Sequence, residues 1–153
     1  MHKIVISDAS CFIILHIIGE LDLLKKVYGS VLTTPEIAAE FGEELPDWVL
    51  IEQVKDRKYI EFLEAIVDEG ESSAIALAKE MESPLLIIDD LKARKLATKL
   101  NLKYTGTIGV IHKAKQNGVI EQIKPIIEKL QATNFRISEK IVDELLKKNN
   151  ECF

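Results

Sequence analysis

The sequence predicts an α/β fold: three layers, α/β/α, around a mainly parallel central sheet, with extra helices at the C-terminal end. Three observations carry this. Ile4-Val5-Ile6-Ser7 and Leu85-Leu86-Ile87-Ile88 are short, almost wholly apolar runs, the pattern of strands covered on both faces. Strand-like runs alternate with segments of helical periodicity along the chain. Both apolar runs end on aspartate, Asp8 after the first and Asp89-Asp90 after the second. Open α/β sheets carry their chemistry beyond the carboxyl ends of their strands.

The elements follow in order. After Asp8, Ser10 is placed to cap a helix, and residues 11 to 18 are apolar nearly all round, as in a buried helix. Gly19 breaks it. Glu20 to Tyr28 reads as an amphipathic helix stopped by Gly29. Val31-Leu32-Thr33 is a short strand, and Thr34-Pro35 opens a helix that Gly42 ends. Val49 to Val54 reads as a peripheral strand and Lys58 to Ile66 as a helix. Asp68-Glu69-Gly70 reads as a loop before a helix from Glu71 to Met81. Leu91 to Leu100 is helical, Leu102 to Tyr104 a strand, and Thr105-Gly106-Thr107 a turn. Helices are expected over Ile108–Gln116, Ile120–Gln131 and Ser138–Lys148, with Pro125 tolerated in a first turn.

A chain of 153 residues suits one domain, taken as 1–148, with 149–153 as a frayed tail. Hydrophobic content of 47% and charged content of 29% describe a globular chain. The net charge of -5 argues against a general nucleic-acid coat protein, though not against a local basic face. Cys11 and Cys152 read as free thiols in a reducing compartment, and His16 as a satisfied core histidine. No signal peptide is expected, and no apolar run is long enough to span a bilayer. The expected location is the cytoplasm.

The acids carry the chemistry. Ala74, Ile75 and Ala78 share the face of Glu71 by spacing, so Glu71 opens its helix on the buried side. Glu40 stands one turn after Glu36. Two parallel strands that end in aspartate aim carboxylates at one edge of the sheet. Charges about 4 Å apart repel by roughly 4 kcal/mol at an effective dielectric of 20, so such a cluster needs protons or a cation. Oxygen ligands without histidine or cysteine favour Mg²⁺ or Mn²⁺ over zinc, and such a site activates water against a phosphate.

Ile-Val-Ile-Ser-Asp-Ala-Ser, Pro-Glu-Ile-Ala-Ala-Glu, Gly-Glu-Ser-Ser-Ala-Ile-Ala-Leu-Ala, Leu-Leu-Ile-Ile-Asp-Asp-Leu-Lys-Ala-Arg and Thr-Gly-Thr-Ile-Gly-Val together resemble the PIN domain. They are similar in particular to prokaryotic PIN-like proteins related to VapC-type toxins. The resemblance runs from about Lys3 to Gly118. It implies a PIN-like fold and a metal-dependent RNA endonuclease whose acids are Asp8, Glu40, Glu71 and Asp90. Metal ligands would come from Asp8, Glu71, Asp90 and Asp89, with the choice between Asp89 and Asp90 left open. A hydroxyl near the metal is also implied, with Ser10 and Thr107 as candidates. The partner is RNA. A small antitoxin protein and a homodimer are further expectations of that subgroup.

Two other classes compete. An aspartyl-phosphate phosphatase needs a second aspartate where Ser10 stands, and a receiver domain puts its acid pair after the first strand. A catalytically silent RNA- or partner-binding protein is the non-enzymatic reading. Between Leu91 and Ile120 there is no Asp or Glu, whereas Lys92, Arg94, Lys95, Lys99, Lys103, Lys113 and Lys115 all fall there. The expectation is that Lys92, Arg94, Lys95 and Lys99 draw in the RNA backbone, with Lys92 and Arg94 nearest the scissile phosphate.

Overall fold

The computed structural model describes residues 4–135 and 137–151. His2 and Cys152 lie outside the described residues. The strands are β1 (Ile4–Ser7), β2 (Val31–Thr33), β3 (Val49–Ile51), β4 (Pro84–Ile87) and β5 (Lys103–Thr105). They form one sheet in the order β3-β2-β1-β4-β5. Every pairing is parallel, with Ile6 beside Leu32, Ser7 beside Ile87, and Ile87 beside Thr105. The expectation of a mainly parallel sheet holds, and the sheet is in fact wholly parallel.

The chain leaves β1 towards β2 and β3, then returns to the other side of β1 for β4 and β5. The strand order therefore reverses between β1 and β4. That reversal is where an open α/β sheet leaves a crevice beyond its strand ends, and Asp8 and Asp89-Asp90 follow those two strands.

The helices are α1 (Ala9–Ile17), α2 (Asp22–Tyr28), α3 (Pro35–Phe41), α4 (Arg57–Glu64), α5 (Glu69–Lys79), α6 (Leu91–Lys99), α7 (Thr107–Gln116), α8 (Lys124–Gln131) and α9 (Glu139–Lys148). Helix α5 packs on β1 and β4 and touches α3, α4 and α6. Its residues from Ser72 to Ala78 are all buried, and the small Ser72, Ser73, Ala74, Ala76 and Ala78 let it lie close to the strands. Burying Ile75 and Leu77 in full contributes about 1.5–3 kcal/mol each. Successive residues of β5 set the other layers. The Arg94 guanidinium of α6 lies 5.4 Å from the Tyr104 ring centre. Thr105 points the other way, with its hydroxyl where a Cβ on Gly109 of α7 would stand. Helices α6 and α7 thus cover opposite faces.

Several boundaries differ from expectation. Asp8, not Ser10, caps α1, because a carboxylate at the strand end reaches the Cys11 N–H; Ser10 lies within the helix. Residues 69 and 70 are not loop. Asp68 accepts from the Glu71 N–H and starts α5 at Glu69. The strand expected to Val54 stops at Ile51. Helix α8 starts at Lys124 rather than Ile120, since in a helix begun at Ile120 the ring of Pro125 would clash with the Glu121 carbonyl.

Residues 149 and 151 of the expected tail make hydrogen bonds to the rest of the chain. Glu151 accepts from the N–H groups of Ile123 (2.9 Å) and Lys124 (3.0 Å), and Lys115 donates to it as well. Asn149 is buried and bonds His112 and the Leu145 carbonyl. The open amino end of α8 needs acceptors, and Glu151 supplies them. Among the described residues, no helix is long and apolar enough to cross a membrane.

Candidate active site

Asp8 is 2% exposed and caps α1. One carboxylate oxygen accepts the Cys11 N–H at 3.0 Å, and the other accepts the Asp89 N–H at 3.2 Å. Burial pushes its carboxyl up to about 7; the charges of Asp89 and Glu40 add to that, while the two N–H groups oppose it. A carboxylate held by two donors and still hard to ionise sits in a place that wants positive charge.

Glu71 stands in the first turn of α5, three residues after its cap. Burial, then the charges of Asp68, Asp90 and Asp8, push its carboxyl up to about 8. Glu40 lies near the end of α3. Burial raises it first, then Asp68 and Glu69. Its Oε1 lies 3.0 Å from the point where a Cβ on Gly70 would stand, so this glycine makes room for a carboxylate against the start of α5.

Asp90 caps α6, with Oδ2 accepting the Ala93 N–H at 2.9 Å. It lines an open cavity of about 400 Å³ with Glu71, Asp68, Glu64, Ile66 and Lys92. Asp89 turns the other way. Its Oδ1 accepts the Thr107 N–H at 2.9 Å, its Oδ2 accepts the Thr107 hydroxyl at 2.6 Å, and Arg94 stands 3.7 Å away.

The acids Asp8, Glu40, Glu71, Asp89 and Asp90 therefore share one electrostatic neighbourhood beyond the ends of β1 and β4. Asp68 belongs to it too, beside both Glu71 and Glu40, and sequence reading missed it. The signal was present: an aspartate three residues before a glutamate at a helix start is a capping pattern.

The other expected residues fall as follows. Thr107 is buried, and both its donors go to Asp89. Ser10 is exposed on α1. Lys92 borders the acid cavity, and Lys95 and Lys99 are exposed. Arg94 is turned inward: its Nε donates to the Ile88 carbonyl at 2.9 Å. His16 is no core histidine. It is half exposed and pairs with Glu43 at 2.6 Å, because it lies on the outer side of α1. Cys11 is buried and free, with its thiol pushed up by burial first and then by Asp8, so it stays protonated.

The donor set is all oxygen and carries surplus negative charge. Among the described residues, no three acid, histidine or cysteine side chains close tightly enough to cage an ion. Mg²⁺ does not ask for a cage; it is held through one or two carboxylates, waters and substrate phosphates. A row of acids along an open cleft fits that habit.

Residues 4–151 match a family model described as DUF3368: PIN domain. The match passes Gly118, where the resemblance in sequence was expected to end, and takes in α8 and α9. No curated protein matches the chain.

Proposed function

Since the chain belongs to the PIN-domain family, whose members are generally nucleases, we propose that it is a divalent-metal-dependent endoribonuclease. What supports this is that Glu71 and Asp90 line one cavity, that Asp8 accepts the N–H of the neighbouring Asp89, and that the strand order reverses between the two strands that end in Asp8 and Asp89. Asp8, Glu71 and Asp90 would hold the ion, Mg²⁺ or Mn²⁺. When bound, the ion would supply water activation and neutralise charge on the attacked phosphate.

The chain's own groups divide the remaining tasks. Asp8 is oriented by two backbone N–H groups, so its carboxylate cannot swing away. Glu40, whose carboxyl is raised by burial and then by Asp68 and Glu69, would take the proton of the attacking water. Lys92, at the border of the acid cavity, meets the RNA backbone, and Lys95 and Lys99 extend that contact along α6. Arg94 braces α6 against the end of β4 instead of meeting phosphate. Water attack leaves a 5′-phosphate and a 3′-hydroxyl.

A toxin acting in the cytoplasm, restrained by a small antitoxin protein, is the biological setting we propose; a neighbouring reading frame for a small DNA-binding protein would support it. The test of activity is labelled single-stranded RNA incubated with the chain and Mn²⁺. Cleavage lost with EDTA and in Asp8→Asn supports the proposal. RNA bound but left intact under every divalent ion supports a silent binding protein.

A further inference from the structure

Asp89 and Asp90 are neighbours of the same chemistry at the end of one strand, yet their carboxylates serve opposite sides. Asp90 keeps one oxygen on its helix and faces the cavity with Glu71. Both oxygens of Asp89 are taken by Thr107, through its N–H and its hydroxyl, and Arg94 flanks Oδ1. The space is built for this. A Cβ on Gly106 would stand 2.0 Å from Arg94 Nη2 and 2.6 Å from Asp89 Oδ1. Arg94 is itself held by the Ile88 carbonyl, so it has no easy way to yield.

One consequence reaches the cleft. With its side chain fixed to the start of α7, Asp89 has a fixed backbone, and its N–H is the donor on Asp8 Oδ2 at 3.2 Å. The other oxygen of Asp8 is set by its own helix through Cys11. The orientation of Asp8 thus depends on α1 for one oxygen and on the Asp89–Thr107 clasp for the other.

We propose that Asp89 is a positioning residue for Asp8, working through its own backbone N–H and the clasp to Thr107, and that it is not a cation ligand. This rests on the nuclease reading above. The hydroxyl expected near the metal is likewise assigned to the clasp, because the Thr107 proton is spent on Asp89. The functional unit is then Gly106-Thr107 with Asp89 and Arg94: the glycine clears the space and the threonine holds the aspartate.

The experiment is calorimetric titration of Mn²⁺ into the full chain, well below the melting temperature of each variant. Asp89→Asn keeps both clasp contacts, since the amide oxygen accepts the Thr107 N–H and the amide nitrogen donates to its hydroxyl. Its Mn²⁺ affinity is expected to stay within about threefold of the parent, because no ligand is lost. Asp89→Ala removes both arms of the clasp and should weaken Mn²⁺ about tenfold, at the low end for an outer-shell partner. Thr107→Val removes the shorter, hydroxyl arm and leaves the N–H arm, and should weaken Mn²⁺ severalfold, by less than Asp89→Ala. The double variant should be no worse than Asp89→Ala, which already removes the one contact that Thr107→Val deletes. Asp8→Asn should lose Mn²⁺ by a larger factor than any of these. If Asp89→Asn weakens Mn²⁺ as severely as Asp8→Asn, Asp89 is a ligand and the proposal fails. If Asp89→Ala and Thr107→Val both leave the affinity unchanged, positioning fails; should Asp89→Ala not fold, Thr107→Val decides that point alone. A parent chain with no Mn²⁺ affinity would overturn the metal reading itself, which is a separate result from either.

Discussion

The hydroxyls of Thr34 and Ser73 lie 2.6 Å apart, buried, and join two helices that carry acids of the cleft. Ser73 donates to the Gly70 carbonyl at 2.7 Å, so the proton between the two hydroxyls comes from Thr34. Thr34 Oγ1 also accepts the Ile37 N–H as the cap of α3. One oxygen thus starts the helix of Glu40 and ties it to the helix of Glu71.

Thr34→Val removes a cap and an interhelical bond together. The expected loss is about 2 kcal/mol, read as a lower urea midpoint with an unchanged slope. Ser73→Ala should cost about 1 kcal/mol. The two losses should not add, since they share a bond. Additive losses would mean that the hydroxyls stabilise their helices separately.

Stability of the metal-free chain should fall as pH rises. The carboxyls of Asp8 and Glu71 sit at about 7 and about 8 in the folded chain, against ordinary values of 3.8 and 4.5. Between those limits the folded chain keeps protons that the unfolded chain has released. Their stabilisation is complete below pH ~4 and is lost as pH climbs through the folded values. In EDTA, the melting temperature should drop from pH 5 to pH 8.5, and Asp8→Asn should flatten the slope. Millimolar Mn²⁺ should restore the parent at the upper end, where the cation takes the place of the protons. A melting temperature that rises across this range in EDTA would contradict the assignment.

Much of this was legible in the sequence because burial on both faces leaves an unmistakable run. Ile4–Ser7 and Leu85–Ile88 gave two central strands, and their terminal aspartates gave the place of the cleft. What stayed hidden depends on packing across distant segments. Asp68 read as part of a loop with Glu69 and Gly70, yet that glycine sits inside α5, where Glu40 needs the room. The opposite turns of Asp89 and Asp90 follow from Thr107, 18 residues on, and no local pattern announces them. Arg94 read as a free cation among lysines; only the fold reveals the Ile88 carbonyl and Tyr104 ring that hold it. The end of the chain looked loose because its partners, Lys115 and the start of α8, lie on other elements.

Two glycines separate space-making of different kinds. Gly106→Ala would press a methyl into Arg94 and Asp89, both already bonded. It should cost about 2 kcal/mol, as overpacking does. The closest atom to a Cβ on Gly70 is the end of the Glu40 side chain at 3.0 Å, with Ile37 at an ordinary 3.7 Å, and alanine favours the helix. Its stability should stay within about 1 kcal/mol of the parent. The measurement is paired urea unfolding; equal losses at both positions would contradict the crowding assigned to Gly106.

The central claim is that the acids of this cleft direct water at an RNA phosphodiester, and the chemistry of the cut ends tests it most directly. A single-stranded RNA carrying one 2′-deoxynucleotide at the preferred site is cleaved with Mn²⁺, and the ends are identified by mass. The account predicts 5′-phosphate and 3′-hydroxyl ends, cleavage that survives the missing 2′-hydroxyl, and none with Asp8→Asn. Ends bearing 2′,3′-cyclic phosphate, or cleavage that stops at the deoxy position, would show attack by the RNA's own hydroxyl and contradict it.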